Sequence, residues 1–271
     1  MIMVAPNGAR RTKTDHPALP LTPKELAEEA RACAAAGASA IHLHVRDREG
    51  RHTLDASLYS EATAAVREAT GPDFVIQITT ESVGRFSARD QMSCVRTLRP
   101  QSASVALREI LSEPGTKSEA IDFFRWMADE SISAQIILYN TADLEQLIGL
   151  VESGTIPLPP LMLFVLGRYR SGQQSSPYDL MPFLASLGER DWPFAVCAFG
   201  RREAECVVRA AQHGGHIRVG FENNLELPDG TRASSNAELV RVVSGKLAEL
   251  EIGLMDIAST RRLMAIPEQR C

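Results

Sequence analysis

Eight short apolar runs, each followed by a stretch of helical periodicity, alternate along this chain, and that alternation restricts the folds open to it. The runs cover residues 2–5, 39–45, 74–78, 103–107, 132–139, 161–166, 194–199 and 216–221. Amphipathic stretches lie between them at 58–69, 119–129, 142–152, 178–187 and 203–213. Thr22-Pro23-Lys24-Glu25 reads as a capping box with proline at the first helical position, opening an Ala-rich helix that stops near Gly37. After the eighth run, 235–250 supplies a closing helix, and a helical extension follows from about 253 to 265. Strands that alternate with helices pair in parallel, so the pattern predicts a TIM (β/α)8 barrel forming one domain over residues 1–271. A doubly wound sheet is the alternative.

Composition excludes several function classes. Charges are dispersed, the net charge is -5 and no basic run occurs, which argues against nucleic acid or an anionic membrane as partner. The first residues lack a basic and apolar leader pattern, and no apolar stretch reaches membrane-spanning length, so a cytoplasmic protein is expected. Cys33, Cys94, Cys197, Cys206 and Cys271 are never spaced C-x-x-C and are expected as reduced thiols packed like small hydrophobes. Without a GxGxxG or Walker-type loop, nucleotide-cofactor classes have no support.

Within the second run stands His42-Leu43-His44. Side chains alternate along a strand, so both imidazoles share one face while Ile41, Leu43 and Val45 form the apolar other. Buried side by side, the two rings need partners for their nitrogens. A shared divalent metal is one solution, and hydrogen bonding within the core is the other. In a closed barrel strands 2 and 8 both flank strand 1, so a third ligand can come from strand 8. That strand ends Arg218-Val219-Gly220-Phe221-Glu222-Asn223-Asn224, with Arg218, Gly220 and Glu222 on one face and Glu222 nearest the C-terminal rim. Two histidines and one carboxylate leave coordination positions open, as in a catalytic zinc site; a capping carboxylate is the plainer reading of Glu222. His16, His52, His213 and His216 fall at element ends and are expected to be solvated.

Ala5-Pro6-Asn7-Gly8-Ala9, Pro20-Leu21-Thr22-Pro23, the block from Ala36 to Asp47 around His42-Leu43-His44, and the strand-8 sequence from Arg218 to Asn224 together resemble the β-keto acid cleavage enzymes almost end to end. The resemblance implies a TIM barrel, usually a homotetramer, with zinc on His42, His44 and Glu222. It implies a reaction in which a β-keto acid and acetyl-CoA become acetoacetate and a new acyl-CoA. Arg218 matches the family's catalytic strand-8 arginine, with a structural ion pair as its other reading. Ser82, after the third strand in Thr79-Thr80-Glu81-Ser82, best matches a substrate-binding serine, or else caps a turn. Thr80, with Ser104 and Arg108 on strand 4, is expected to border the same mouth. Gly200-Arg201-Arg202 is either a phosphate contact for coenzyme A or a solvated basic turn.

Two positions depart from the family pattern. Asn223 stands where an aspartate general base is usual, and Gln135 where strand 5 carries a glutamate. An amide accepts no proton at neutral pH, so Glu81, the substrate carboxylate or a metal-held water would have to serve instead. Arg108 and Glu109 also replace small and amide residues. The lost carboxylates leave Arg218 less neutralised, favouring a neutral or anionic substrate over an amine. Two other readings remain: a metal-dependent barrel hydrolase, which usually carries H-x-H on strand 1, and a non-catalytic metabolite-binding descendant of the family.

Overall fold

The computed structural model describes residues 1–112, 115–169 and 171–267. Eight parallel strands close on themselves: β1 (Ile2–Val4), β2 (Ala40–Leu43), β3 (Val75–Thr79), β4 (Ser102–Ala106), β5 (Ser133–Leu138), β6 (Leu161–Leu166), β7 (Phe194–Ala198) and β8 (His216–Val219). β1 pairs with β2 on one side and β8 on the other, which makes the sheet a barrel and rules out the doubly wound alternative. Closure also leaves no strand edge open to solvent.

Helices follow the strands in turn: α1 (Pro23–Ala35), α2 (Ala56–Thr70), α3 (Ala88–Leu98), α4 (Lys117–Asp129), α5 (Thr141–Glu152), α6 (Met181–Leu187), α7 (Glu203–Gln212) and α8 (Asn236–Glu249). α1 has the capping box read from the sequence, with the Thr22 hydroxyl accepting from the Glu25 amide at 3.3 Å. α8 packs against α1 and α7 and so closes the helical ring. A last helix, α9 (Ile257–Leu263), follows it. The segment that forms α3 escaped the periodicity argument because its buried Met92, Cys94 and Val95 are interleaved with Arg89, Asp90 and Arg96; its signal is the capping box of Ser87 and Asp90.

Alternation along the strands separates two apolar populations. Ile41, Leu43, Ile76, Val105 and Ile136 pack under the helices, whereas Met3, Ala40, Val75, Leu163, Val165 and Cys197 fill the barrel. The filling is one-sided. β6 and β7 contribute apolar residues, while β3 to β5 point Gln77, Ser102, Ser104, Ser133 and Gln135 into the same interior.

Two expectations need correction. His16 and His52 are buried, not solvated: His16 donates from Nε2 to the Ala233 carbonyl at 2.8 Å, and His52 Nε2 lies 3.0 Å from the Glu81 carbonyl. Each ring has a backbone partner, which offsets the cost of burying it for His16 and part of that cost for His52, whose Nδ1 is unpartnered. His213 is exposed as expected, and His216 is half-buried beside the N-terminal amine. Cys33, Cys94, Cys197 and Cys206 are buried free thiols, while Cys271 lies outside the described residues.

The turn after β8 is held by buried side chains from two helices. Glu203 accepts from the Gly220 amide at 3.1 Å, and Asn236 accepts from the Phe221 amide at 2.7 Å. Gly220 has φ +142°, and a Cβ there would sit 2.4 Å from the Ala5 carbonyl oxygen. That carbonyl receives the Glu222 amide at 3.1 Å, so the close approach sets where Glu222 begins. Gly220→Ala should therefore destabilise the fold by roughly 2 kcal/mol or more in urea unfolding.

Candidate metal centre and cavity

His42 ends β2 in all but one residue, His44 follows the strand directly, and both rings are buried. A hydrogen-bond chain sets the His42 tautomer. Ser102 donates its hydroxyl to the Ser133 carbonyl at 3.0 Å and accepts from Gln77 Nε2 at 3.2 Å. Gln77 Oε1, which only accepts, lies 2.8 Å from His42 Nδ1, so that nitrogen carries the proton and Nε2 presents a lone pair. His44 is held through its backbone. Asn7 Oδ1 accepts from the His44 amide at 3.2 Å, and Asn7 Nδ2 donates to the His44 carbonyl at 2.9 Å.

The two Nε2 atoms are 3.2 Å apart, and Glu222 Oε2 lies 3.6 Å from His42 Nε2 and 3.3 Å from His44 Nε2. Glu222 Oε2 is buried with no hydrogen-bond donor. Burial lowers the His42 pKa to about 4, reinforced by Arg218, and takes His44 well below its ordinary value, so both rings are neutral at pH 7. Burial opposes the Glu222 carboxylate, but Arg218, with Nη2 2.9 Å from Oε1, and the histidines outweigh it and hold the group ionised. The His42 lone pair, the neutral His44 ring and an anionic oxygen thus converge, with ligand atoms within 4.8 Å of one another. This donor set fits a divalent cation with the His44 proton on Nδ1, which lies 4.0 Å from Glu81 Oε2 and has no hydrogen-bond partner, leaving Nε2 free to ligate.

Above these residues opens a cavity of about 180 Å³ lined by His42, Glu222 and Arg218, and also by Arg10, Arg11, Glu81, Glu109, Tyr139 and Arg168. Burial, with Glu222 nearby, raises the Glu81 pKa to about 7 against the opposing pull of Arg168 and Arg10. Arg11, Arg168, Gln77 and Glu203 carry no signal of their own in the sequence, and Asn7 stands out only as part of the Ala5-Pro6-Asn7-Gly8-Ala9 motif. Arg11 and Arg168 sit in connections, Gln77 inside the barrel and Glu203 at the start of α7, where no local pattern marks their roles.

Other sequence-predicted residues lie outside that lining. Arg108 is not on β4 but on a short helical turn, Leu107–Ile110, because the chain turns immediately after Ala106. Its guanidinium grips Asp143 at 2.8 Å and lies over the Tyr139 ring. Thr80 is buried and donates to the Ser104 carbonyl at 2.9 Å. Ser82 is half-buried, its amide bonded to Glu109 at 3.0 Å. Ser104 and Gln135 are register neighbours inside the barrel, with the Ser104 hydroxyl and both Gln135 amide atoms unpartnered. The Asn223 amide is likewise buried and unpartnered. Arg201 and Arg202 are exposed, and Arg202 pairs with Glu205 at 2.8 Å.

A (β/α)8 barrel with a two-histidine, one-carboxylate cluster at the C-terminal ends of its strands has the architecture of a metal-assisted barrel enzyme. The sequence model described as beta-keto acid cleavage enzyme matches residues 1–266, and the chain belongs to that family. The 3-keto-5-aminohexanoate cleavage enzyme of Acetoanaerobium sticklandii is 32% identical over 250 residues, 90% of this chain and 89% of that protein. The 3-oxoadipate:acetyl-CoA acetyltransferase of Cupriavidus necator is 27% identical over 276 residues, 98% and 95% of the two chains. Among solved structures, apo ObcA aligns with a TM-score of 0.72 at 17% identity, over 92% of this chain and 66% of that one. This chain thus spans just under two thirds of ObcA, and the likeness is one of fold.

Protein purified without chelator should contain near-stoichiometric divalent metal by elemental analysis, and His44→Ala should lose most of it. Gly8→Ala should lower occupancy with all three ligands retained, since a Cβ at Gly8 would lie 2.7 Å from Glu222 Cγ and displace that side chain. Full occupancy in the His42→Ala, His44→Ala double variant would contradict the site.

Glu203 generates a pH prediction. Burial raises its pKa to about 8, above the ordinary 4.5, despite the bonds from Gly220 and Asn224. A raised carboxyl stabilises the fold most below its unfolded pKa and loses that contribution as pH rises through the folded one. Between pH ~5 and ~8 the native protein should therefore lose up to about 1.4 kcal/mol per pH unit relative to Glu203→Gln. Urea unfolding of both proteins across that range measures the difference.

Proposed function

We propose that this chain exchanges acyl groups between a β-keto acid and coenzyme A, converting the keto acid and acetyl-CoA into acetoacetate and a new acyl-CoA. The convergence of His42, His44, Glu222 and Arg218 beneath one small cavity, in a member of this family, is the observation that carries the reading. Relatives named as 3-oxoadipate:acetyl-CoA acetyltransferase and 3,5-dioxohexanoate:acetyl-CoA acetone transferase support acetyl-CoA as co-substrate. In the net reaction the acetyl group leaves sulfur for the α-carbon of the keto acid, and the R–CO group leaves that carbon for sulfur.

His42, His44 and Glu222 would hold a divalent metal, zinc being well suited to two imidazoles and a carboxylate. Such an ion supplies polarisation of the keto oxygen and compensation for enolate charge. Arg218 is engaged by Glu222 through Nη2, while its buried Nε and Nη1 have no partner. Those two donors would orient the substrate carboxylate and offset charge during carbon–carbon cleavage. Asn223 and Gln135 can orient a ligand but take no proton. Among the described residues lining the cavity, the carboxylates other than the ligand Glu222 are Glu81 and Glu109, and these are the groups available to accept the α-proton. Ser104 keeps a free hydroxyl but is buried outside the cavity lining; Thr80, Ser82 and Arg108 support the walls.

The same reading includes a homo-oligomer, tetrameric by family resemblance, and a cytoplasmic location. No helix among the described residues is long and apolar enough to cross a membrane.

A panel of β-keto acids incubated with and without acetyl-CoA tests the proposal. Acetoacetate and the new acyl-CoA should appear together and only when acetyl-CoA is present. Keto-acid consumption at an unchanged rate without it would identify a hydrolase instead.

A further inference from the structure

The charges lining the cavity are unevenly paired. Arg218 engages Glu222 at 2.9 Å, while Arg10 and Arg168 share Glu81 at 3.8 and 3.7 Å. Glu109 accepts from the Ser82 amide at 3.0 Å. That leaves Arg11. Its guanidinium lines the cavity, is half-buried, and makes no hydrogen bond or ion pair among the described residues. Burial lowers its pKa, and Arg168 adds to this effect, while Asp15, Glu203 and Glu222 oppose it without hydrogen-bonding to it. A partly desolvated cation near a second cation is unfavourable until an anion joins them. A metal at the histidines would make the cavity more positive still, and the reacting carboxylate of a β-keto acid would neutralise only part of that charge.

Resting on the functional reading above, we propose that Arg11, together with Arg168, binds a second carboxylate at the far end of the substrate, so that this chain acts on dicarboxylic β-keto acids. Position supports the substrate as the source of the anion: Arg11 lines the same cavity of about 180 Å³ as His42, Glu222 and Arg218, and a short diacid fits within it. A substrate ending in an ammonium group would instead meet two guanidiniums.

Titration calorimetry of the metal-loaded protein with glutarate and with valerate, neither of which can be cleaved, reads binding apart from turnover. Glutarate should bind at least about tenfold more tightly, Arg11→Gln should remove that margin, and Arg11→Lys should restore part of it. Equal binding of the two acids by the native protein, or a margin that survives Arg11→Gln, overturns the proposal. The native comparison decides alone if the variant does not fold. In turnover at saturating acetyl-CoA, six-carbon β-keto acids ending in carboxylate, methyl or ammonium should rank with the diacid about tenfold ahead in kcat/KM. Arg11→Gln should erase that lead mainly through KM. A raised KM for acetyl-CoA with the diacid preference intact would assign Arg11 to the coenzyme and overturn the proposal. Failure of all three keto acids to turn over would bring down the functional reading instead, while the glutarate–valerate comparison would still decide the role of Arg11.

Discussion

Closure of the barrel through β1 is the constraint on which the rest of the structure depends. Three buried residues, Ile2, Met3 and Val4, bond to β2 on one side and to β8 on the other. Only that short strand brings the end of β2, with its histidines, beside the end of β8, with its carboxylate. The segment following β1 reinforces the arrangement: Asn7 clamps the His44 backbone, Gly8 lies against Glu222, and Arg46 donates to the Gly8 carbonyl. One connection therefore sets the distance between ligands from two separate strands, and it does so through backbone contacts that leave the ligand side chains free.

Electrostatics determine what such a cluster can do. Two neutral imidazoles crowd an ionised carboxylate whose Oε2 has no hydrogen-bond donor, and Arg218 compensates the carboxylate from one side only. Desolvating charge typically costs several kcal/mol when it is incompletely paired, so the cluster is stabilised by whatever cation it binds. A cation held there would link its binding to the stability of the rim. The support for Glu222 comes from behind, where Glu203 and Asn236 bind successive amides of its turn, and none of those contacts uses the face presented to the cavity.

The division of the barrel interior has a matching logic. β6 and β7 fill one side with Leu163, Val165, Ala195 and Cys197, a packed wall that needs no partners. β3 to β5 fill the other with amides and hydroxyls, some joined in the chain that orients His42 and others, such as Gln135 and Ser104, unsatisfied. Unpaired buried polar groups are unfavourable in a core. Their concentration on the side that carries His42 is what a polar ligand would satisfy.

Much of this was legible in the chain before it folded. Strand and helix periodicities come from local alternation of apolar and polar residues, so the eight-unit barrel, the Thr22 capping box and the shared face of His42 and His44 could all be read from the sequence alone. Barrel adjacency extended that reading to Glu222 and Arg218, because ring closure makes strands 1, 2 and 8 neighbours. The rest was decided by the tertiary structure. Whether His16 and His52 are solvated depends on carbonyls supplied by distant segments. Arg108 proved to serve Asp143 and Tyr139 because β4 ends one residue earlier than its apolar run. The unpaired state of Arg11 emerges only when loops from β1, β3 and β6 bring their charges around one cavity. Local pattern specifies which face a side chain takes, but which charges meet there is a property of three-dimensional packing.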